Sequence, residues 1–158
     1  MPELLQPTGA ALFPGSFTKR FQYANDLERQ LVVKFAGFAR KDRTRIHLLT
    51  DSESTGTSYG FVALSFSSFD RDNANRSSIV IDYIFTSHQF RGQHFPALDG
   101  LKVFEYLLGF TFNAAMAIQK TVPVKFVALQ PASGRLSDYY KRMDFKQLDN
   151  TDWMFLRI

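Results

Sequence analysis

The sequence predicts one mixed α/β domain spanning residues 1–158, and three observations carry that prediction. Apolar residues make up 45% and aromatic residues 15% of a 158-residue chain, which suits a single packed core. After an opening helical segment, two β-type runs lead into an alternating β-α-β-α-β order, the pattern of a central sheet flanked by helices. No internal repeat, low-complexity segment or linker interrupts that order.

Residues 1–15 hold Pro2, Pro7, Gly9, Pro14 and Gly15. Such frequent punctuation predicts a loose N-terminal arm. A helix is expected over residues 25–39, where Leu27, Leu31, Phe35 and Phe38 recur at helical spacing and predict one buried face. Asn25 suits the N-cap, and Asp26 and Glu28 suit a first turn whose exposed N–H groups favour acids. Strands are expected over 46–50 and 59–67, joined by a hairpin-type turn at 51–58, and the polar run 70–78 predicts a loop. Residues 78–85 form a third strand, with Ile79, Ile81, Tyr83 and Phe85 on one face and Val80, Asp82 and Ile84 on the other. A long helix then runs from about Leu98 to about Gln119 with Pro96 in its first turn, where a missing N–H is no loss. Residues 124–130 predict a strand ended by Pro131, residues 134–143 a short helix, and residues 153–158 a closing strand after a polar turn.

Composition removes several classes of chemistry. With no cysteine there is no disulfide, thiolate nucleophile or cysteine metal site. His47, His88 and His94 show no metal-ligand spacing, so no metal is expected, and no serine–histidine motif of hydrolase type is present. Residues 1–15 lack the pattern of a signal peptide, and the apolar runs are short for a bilayer span. A cytoplasmic protein with no membrane contact is the default expectation. Most of the 17 phenylalanines are expected in the core. A net charge of +4 and a pI near 9.4 tilt the protein toward anionic partners. Arg40, Lys41, Arg43 and Arg45 stand close together and read either as a solvated loop or as a phosphate-holding patch.

Residues 79–108 are the candidate working centre. A strand there runs into a turn with Arg91 and Gly92 and then a helix, and backbone N–H groups at such a junction favour an anion. Asp82, a carboxylate inside an otherwise apolar strand, must be at an edge, in a cleft or paired.

The segment QFRGQH, residues 89–94, follows a strand and precedes a helix, and it is similar to the pyrophosphate loop Q/R-x-x-G-x-G/A of the GNAT superfamily of N-acetyltransferases. SGRLSDYYKRMDF, residues 133–145, resembles that family's N-x-x-A-x-x-F-Y-x-x-x-G-F motif, and WMFLRI resembles its terminal strand. Upstream, YANDLERQLVVKFA and then YGFVALS look like the N-terminal half of the GNAT toxins of toxin–antitoxin pairs. The chain departs from the pattern at His94, in place of the loop's second glycine, at Asp144, in place of the glycine before Phe145, and at Ser133, Leu136, Tyr23 and Ala24.

The resemblance implies a GNAT fold and acetyl transfer from acetyl-CoA to an amine in a ternary complex. It implies that the N–H groups of Arg91, Gly92, Gln93, His94 and Phe95 cradle the pyrophosphate, that the strand end near Ile84 and Thr86 pairs with the pantetheine arm, and that Ser133 stands in the second motif. Tyr140 aligns with the tyrosine that protonates the departing thiolate, a suitable task for a neutral phenol. Asp82 reads either as the group that takes the amine's proton or as a structural partner of an arginine. His94 either turns its imidazole to solvent and leaves the loop functional, or holds the backbone off the phosphate. The acceptor is the α-amine of an aminoacyl-tRNA if the upstream likeness holds, and otherwise a small-molecule or protein amine. A small antitoxin and a homodimer are partners by the same analogy. The alternative is a non-catalytic interaction module with a degenerate CoA loop.

Overall fold

Seven strands and three α-helices make up the regular structure of the residues that the computed structural model describes, 2–5, 17–51, 57–71 and 73–158. The strands are β1 (Pro2–Leu5), β2 (Arg45–Asp51), β3 (Ser58–Arg71), β4 (Ala74–Thr86), β5 (Phe126–Leu129), β6 (Lys146–Gln147) and β7 (Met154–Arg157). The helices are α1 (Asp26–Arg40), α2 (Val103–Gln119) and α3 (Gly134–Arg142). The sheet order is β1-β2-β3-β4-β5-β7-β6. β4 and β5 run parallel, whereas β1/β2, β2/β3, β5/β7 and β6/β7 are antiparallel, so the sheet is mixed, as expected. A parallel neighbour needs a crossover connection, and α2 provides it.

By internal packing the chain divides into two compact units, Met1–Leu64 with Tyr83–Phe110, and Ser65–Asp82 with Thr111–Ile158. In the first unit, Phe17, Phe21, Val32, Ala36, Ile46, Leu48, Phe61, Ala63 and Phe85 form the core. Its rings meet mainly edge to face, as at Phe21–Phe85, 4.9 Å between centroids, a geometry that sets the positive edge of one ring against the negative face of the next. Asn25 caps α1 by accepting the Glu28 N–H at 2.9 Å, and the Glu28 carboxylate reaches back to the Ala24 N–H. The expected buried face of α1 is not the one that packs. Val32 and Ala36 enter the core, whereas Leu27 and Leu31 are 73% and 42% exposed and Phe35 and Phe38 are half-buried. Small side chains let the helix approach the sheet closely, and spacing alone does not say which of two apolar stripes turns inward.

The N-terminal expectation also changes. Pro2–Leu5 form an edge strand paired with Leu48–Asp51, with Pro2 at the first position, where its missing N–H is tolerated. The rest of the expected arm, and most of the 51–58 turn, lie outside the described residues.

In the second unit, Val80, Ala128 and Phe155 are buried under Phe69, Phe126, Leu148 and Trp153. Tyr140 and Phe112 both pack on Phe145. The expected loop over 70–78 is instead the tip of a hairpin: β3 extends to Arg71 and β4 begins at Ala74, with Asn73 turning the chain at φ 59°. Polar residues extend these strands because their side chains pair with one another. Asn75 donates to Ser68 Oγ at 2.6 Å and to Asp70 Oδ1 at 2.8 Å. The remaining expected elements agree within a few residues, and the short strand β6 interrupts what reads as a polar turn.

Candidate functional site

The segment after β4 belongs to the first unit and is built differently from a simple strand–turn–helix. Two 3-10 turns, His88–Phe90 and Pro96–Leu98, separate β4 from α2, which starts at Val103 rather than near Leu98. Pro96 therefore opens a 3-10 turn, not the helix. Asp99 and Gly100 follow it with φ 58° and 79°, a left-handed pair that stops the turn from continuing as an α-helix. The loop closes on itself: the Phe95 N–H donates to the Leu101 carbonyl, and the Gly100 N–H to the Phe95 carbonyl. His94, an exposed residue, adds a bond from Nδ1 to the Gly100 carbonyl at 2.8 Å. Because the carbonyl only accepts, Nδ1 carries a proton.

Gly92 turns the backbone at φ 75°, a conformation that glycine adopts without strain. The five amides expected to cradle an anion are not equally available. Arg91, Gln93 and Phe95 donate within the loop, to His88, Phe90 and Leu101 carbonyls at 3.3, 3.4 and 3.1 Å. Among the described residues, only the Gly92 and His94 amides of the five have no hydrogen-bond partner. The expectation of five consecutive donors thus reduces to two alternate ones, since the intervening turns close on themselves.

Arg91 is held in place. Its Nε donates to the Thr86 carbonyl at 2.9 Å, its guanidinium stacks over Phe85, and its terminal nitrogen pairs with the Glu28 carboxylate at 2.6 Å. The side chains are 36% and 18% exposed, so water screens this pair only in part. Glu28 is the residue that sequence reasoning misses here, because nothing in the pattern links two positions so far apart. Gln93, exposed, donates from Nε2 to the Gln89 carbonyl at 2.7 Å. Phe95 packs its ring against Tyr59 and Phe90. Ile84 and Thr86 are half-buried at the end of β4. The register of β4 with β5 is Ser78–Ile81 against Phe126–Leu129, and β4 itself runs on to Thr86.

The other candidate residues belong to the second unit. Asp82, half-buried on β4, accepts from Ser65 Oγ at 3.0 Å. Ser133 is the N-cap of α3, its hydroxyl oxygen accepting the Leu136 N–H at 3.3 Å. Tyr140 is 5% exposed and packs against Tyr139 and Phe145. Burial, and then the neighbouring Tyr139, push the Tyr140 hydroxyl up to about 12, so at neutral pH it is a proton donor and not a phenolate. At the far end of α3, Asp144 stands at φ 71° while the Phe145 N–H bonds the Tyr140 carbonyl. This left-handed residue, just past the C-cap Met143, has the conformation that explains a glycine in the motif.

The cations Arg40, Lys41, Arg43 and Arg45 are all exposed. No group of three or more His, Asp or Glu side chains able to hold a metal occurs among the described residues, and none of their helices is long and apolar enough to cross a membrane.

No family model and no curated protein matches the sequence. Solved structures do match it, nearly end to end. AtaT complexed with acetyl-methionyl-tRNAfMet superposes with a TM-score of 0.77 at 13% identity, over 99% of this chain and 95% of that one. AtaTR bound with AcCoA gives 0.75 at 16% identity, over 99% and 92%. A tyrosine-to-phenylalanine mutant of KacT gives 0.74 at 14% identity, over 99% and 94%. Agreement of this extent at such low identity is agreement of fold: this chain has the GNAT fold, in the form taken by the toxins AtaT and KacT.

Proposed function

We propose that the protein is an acetyl-CoA-dependent N-acetyltransferase whose acceptor is the α-amine of an aminoacyl-tRNA. The observation that carries this reading is the nearly complete superposition on AtaT, a protein solved with acetyl-methionyl-tRNAfMet and, as AtaTR, with AcCoA. Acetyl-CoA would supply an activated acyl thioester. The Gly92 and His94 amides, beside the left-handed turn at Gly92, suit an anion such as its pyrophosphate. The edge of β4 near Ile84 and Thr86 suits the amides of the pantetheine arm. Tyr140, kept protonated by burial, suits delivery of a proton to the departing sulfur. Asp82 suits acceptance of the proton lost by the amine, and its bond from Ser65 would orient the carboxylate. A small antitoxin is a partner on the same analogy, since AtaT is also solved bound to the C-terminus of the antitoxin AtaR.

One observation favours a second reading, a GNAT-fold interaction module without catalysis. Three of the five loop amides are engaged within the loop, and Arg91 is tied to Glu28. Calorimetric titration with acetyl-CoA separates the two: heat of binding is expected for the enzyme, and none at millimolar ligand for the module. If acetyl-CoA binds, Tyr140→Phe is expected to slow acetylation of aminoacyl-tRNA by about a hundredfold or more, the range for loss of a general acid, with little change in affinity. Equal rates would remove Tyr140 from the role.

A further inference from the structure

Helix α1 carries apolar residues on two opposite sides. At about 100° per residue, Val32 and Ala36, which enter the core of the first unit, project away from Leu27, Leu31, Lys34 and Phe38. These four positions, spaced i, i+4, i+7 and i+11, cover roughly 16 Å of helix. Leu27 and Leu31 are both exposed, the first much more than the second. The Lys34 ammonium lies over the rings of Phe35 and Phe38, 5.9 and 5.7 Å from their centroids, and the Arg43 guanidinium lies 5.8 Å from the Phe38 centroid. Arg40, Lys41 and Arg43 extend the positive charge beyond the C-terminal end of the row. The acids at its N-terminal end are satisfied within the protein: Asp26 accepts from Arg29 and Gln30, and Glu28 accepts from the Ala24 amide and Arg91.

Single exposed apolar residues are ordinary, but an aligned row at the spacing of helix–helix contacts marks an interaction face. We infer that the outer face of α1 docks an amphipathic, acid-rich helix of a partner protein. The partner's apolar row packs along Leu27, Leu31 and Phe38, and its carboxylates meet Lys34, Arg40, Lys41 and Arg43. The two leucines select protein over nucleic acid, because an aliphatic side chain offers no plane for a base to stack on and phosphates leave it uncovered. Lys34, near the middle of the row, selects against a second copy of this chain. A twofold pairing of the row with itself sets two Lys34 ammonium groups against each other. None of the residues proposed for acetyl transfer lies on this face, so the inference stands whether or not the protein is an enzyme.

The test is fluorescence anisotropy on the full chain with a labelled helix-forming peptide that carries leucines at i, i+4, i+7 and i+11 flanked by glutamates. A twin peptide with lysines in place of the glutamates is the control. The acidic peptide is expected to bind at least about tenfold tighter than its twin, and Leu27→Asp or Leu31→Asp to weaken it by about tenfold or more, as loss of an interface anchor does. Lys34→Glu is expected to weaken the acidic peptide and strengthen the basic one while the thermal melt stays unchanged, which separates docking from misfolding. No binding of the acidic peptide at millimolar concentration, or equal binding by wild type and Leu27→Asp, overturns the inference. So does sedimentation that shows dimers lost on Leu27→Asp, which would assign the face to a second copy. Transfer-RNA binding that falls with Leu27→Asp while the peptide fails to bind would assign it to nucleic acid.

Discussion

Gly60 on β3 is the position where one methyl group should do the most damage in the first unit. A Cβ built there would stand 2.2 Å from the Phe85 carbonyl oxygen and 3.1 Å from the Thr86 Cα, and real Cβ atoms essentially never come closer than 3.0 Å to a neighbour. The obstacle is backbone of β4, which cannot rotate aside as a side-chain end would. Gly60→Ala must therefore push β3 and β4 apart by most of an ångström in a core whose rings already interlock. Overpacking of this kind costs about 1–3 kcal/mol, and a backbone obstacle belongs at the upper end. For a chain of this length that corresponds to a fall in Tm of roughly 6–12 °C. Gly37, in the middle of α1 with nothing within 4 Å of its ideal Cβ, is the matched control. Gly37→Ala should raise stability by about 0.5–1 kcal/mol through helix propensity alone. Thermal unfolding followed by circular dichroism, with urea midpoints as a check, measures both. A Gly60→Ala protein that melts within about 1 °C of wild type would refute the close approach of the two strands.

Two further outcomes follow from ionisation and from a helix end. Burial, and then the charge of Arg45, lower the His47 pKa from 6.5 to about 4. Between those values the unfolded chain binds a proton that the folded chain refuses. Stability should thus be complete above about pH 6.5 and be lost as pH falls toward 4, and urea midpoints should fall less over that window in His47→Gln than in wild type. Asp144→Gly relieves a left-handed backbone at φ 71° and should stabilise the protein by about 1 kcal/mol, or roughly 2–4 °C in Tm. A melt no higher than wild type would mean that the aspartate side chain compensates there.

The sheet was legible in the sequence because β-branched and aromatic runs mark β2, β3, β4, β5 and β7 directly. Local chemistry fixes the ends of α1 and α3, through the caps Asn25 and Ser133. Direction was not legible. Leu27, Leu31, Phe35 and Phe38 make a face by spacing, yet the helix packs through the smaller Val32 and Ala36. Nor does a polar run declare that its residues will pair with each other, which is why residues 70–78 read as a loop. At the candidate site, Gly92 was legible as the residue of a tight turn. The two 3-10 turns were not, because Pro96 suits the start of either kind of helix and only the left-handed Asp99 and Gly100 decide between them. Pairing of Arg91 with Glu28 depends on the tertiary fold and leaves no local trace.

The aromatic residues of the two units differ in one useful way. Phenylalanine and tyrosine fill the core of the first unit, whereas the chain's single tryptophan, Trp153, packs in the second unit, 4.7 Å from Phe69 between ring centroids. Tryptophan emission is therefore a native reporter of one unit alone, available without any label. Superimposable unfolding curves from that emission and from helix ellipticity would mean that the two units melt as one cooperative block, and a gap between the curves would expose a half-folded species.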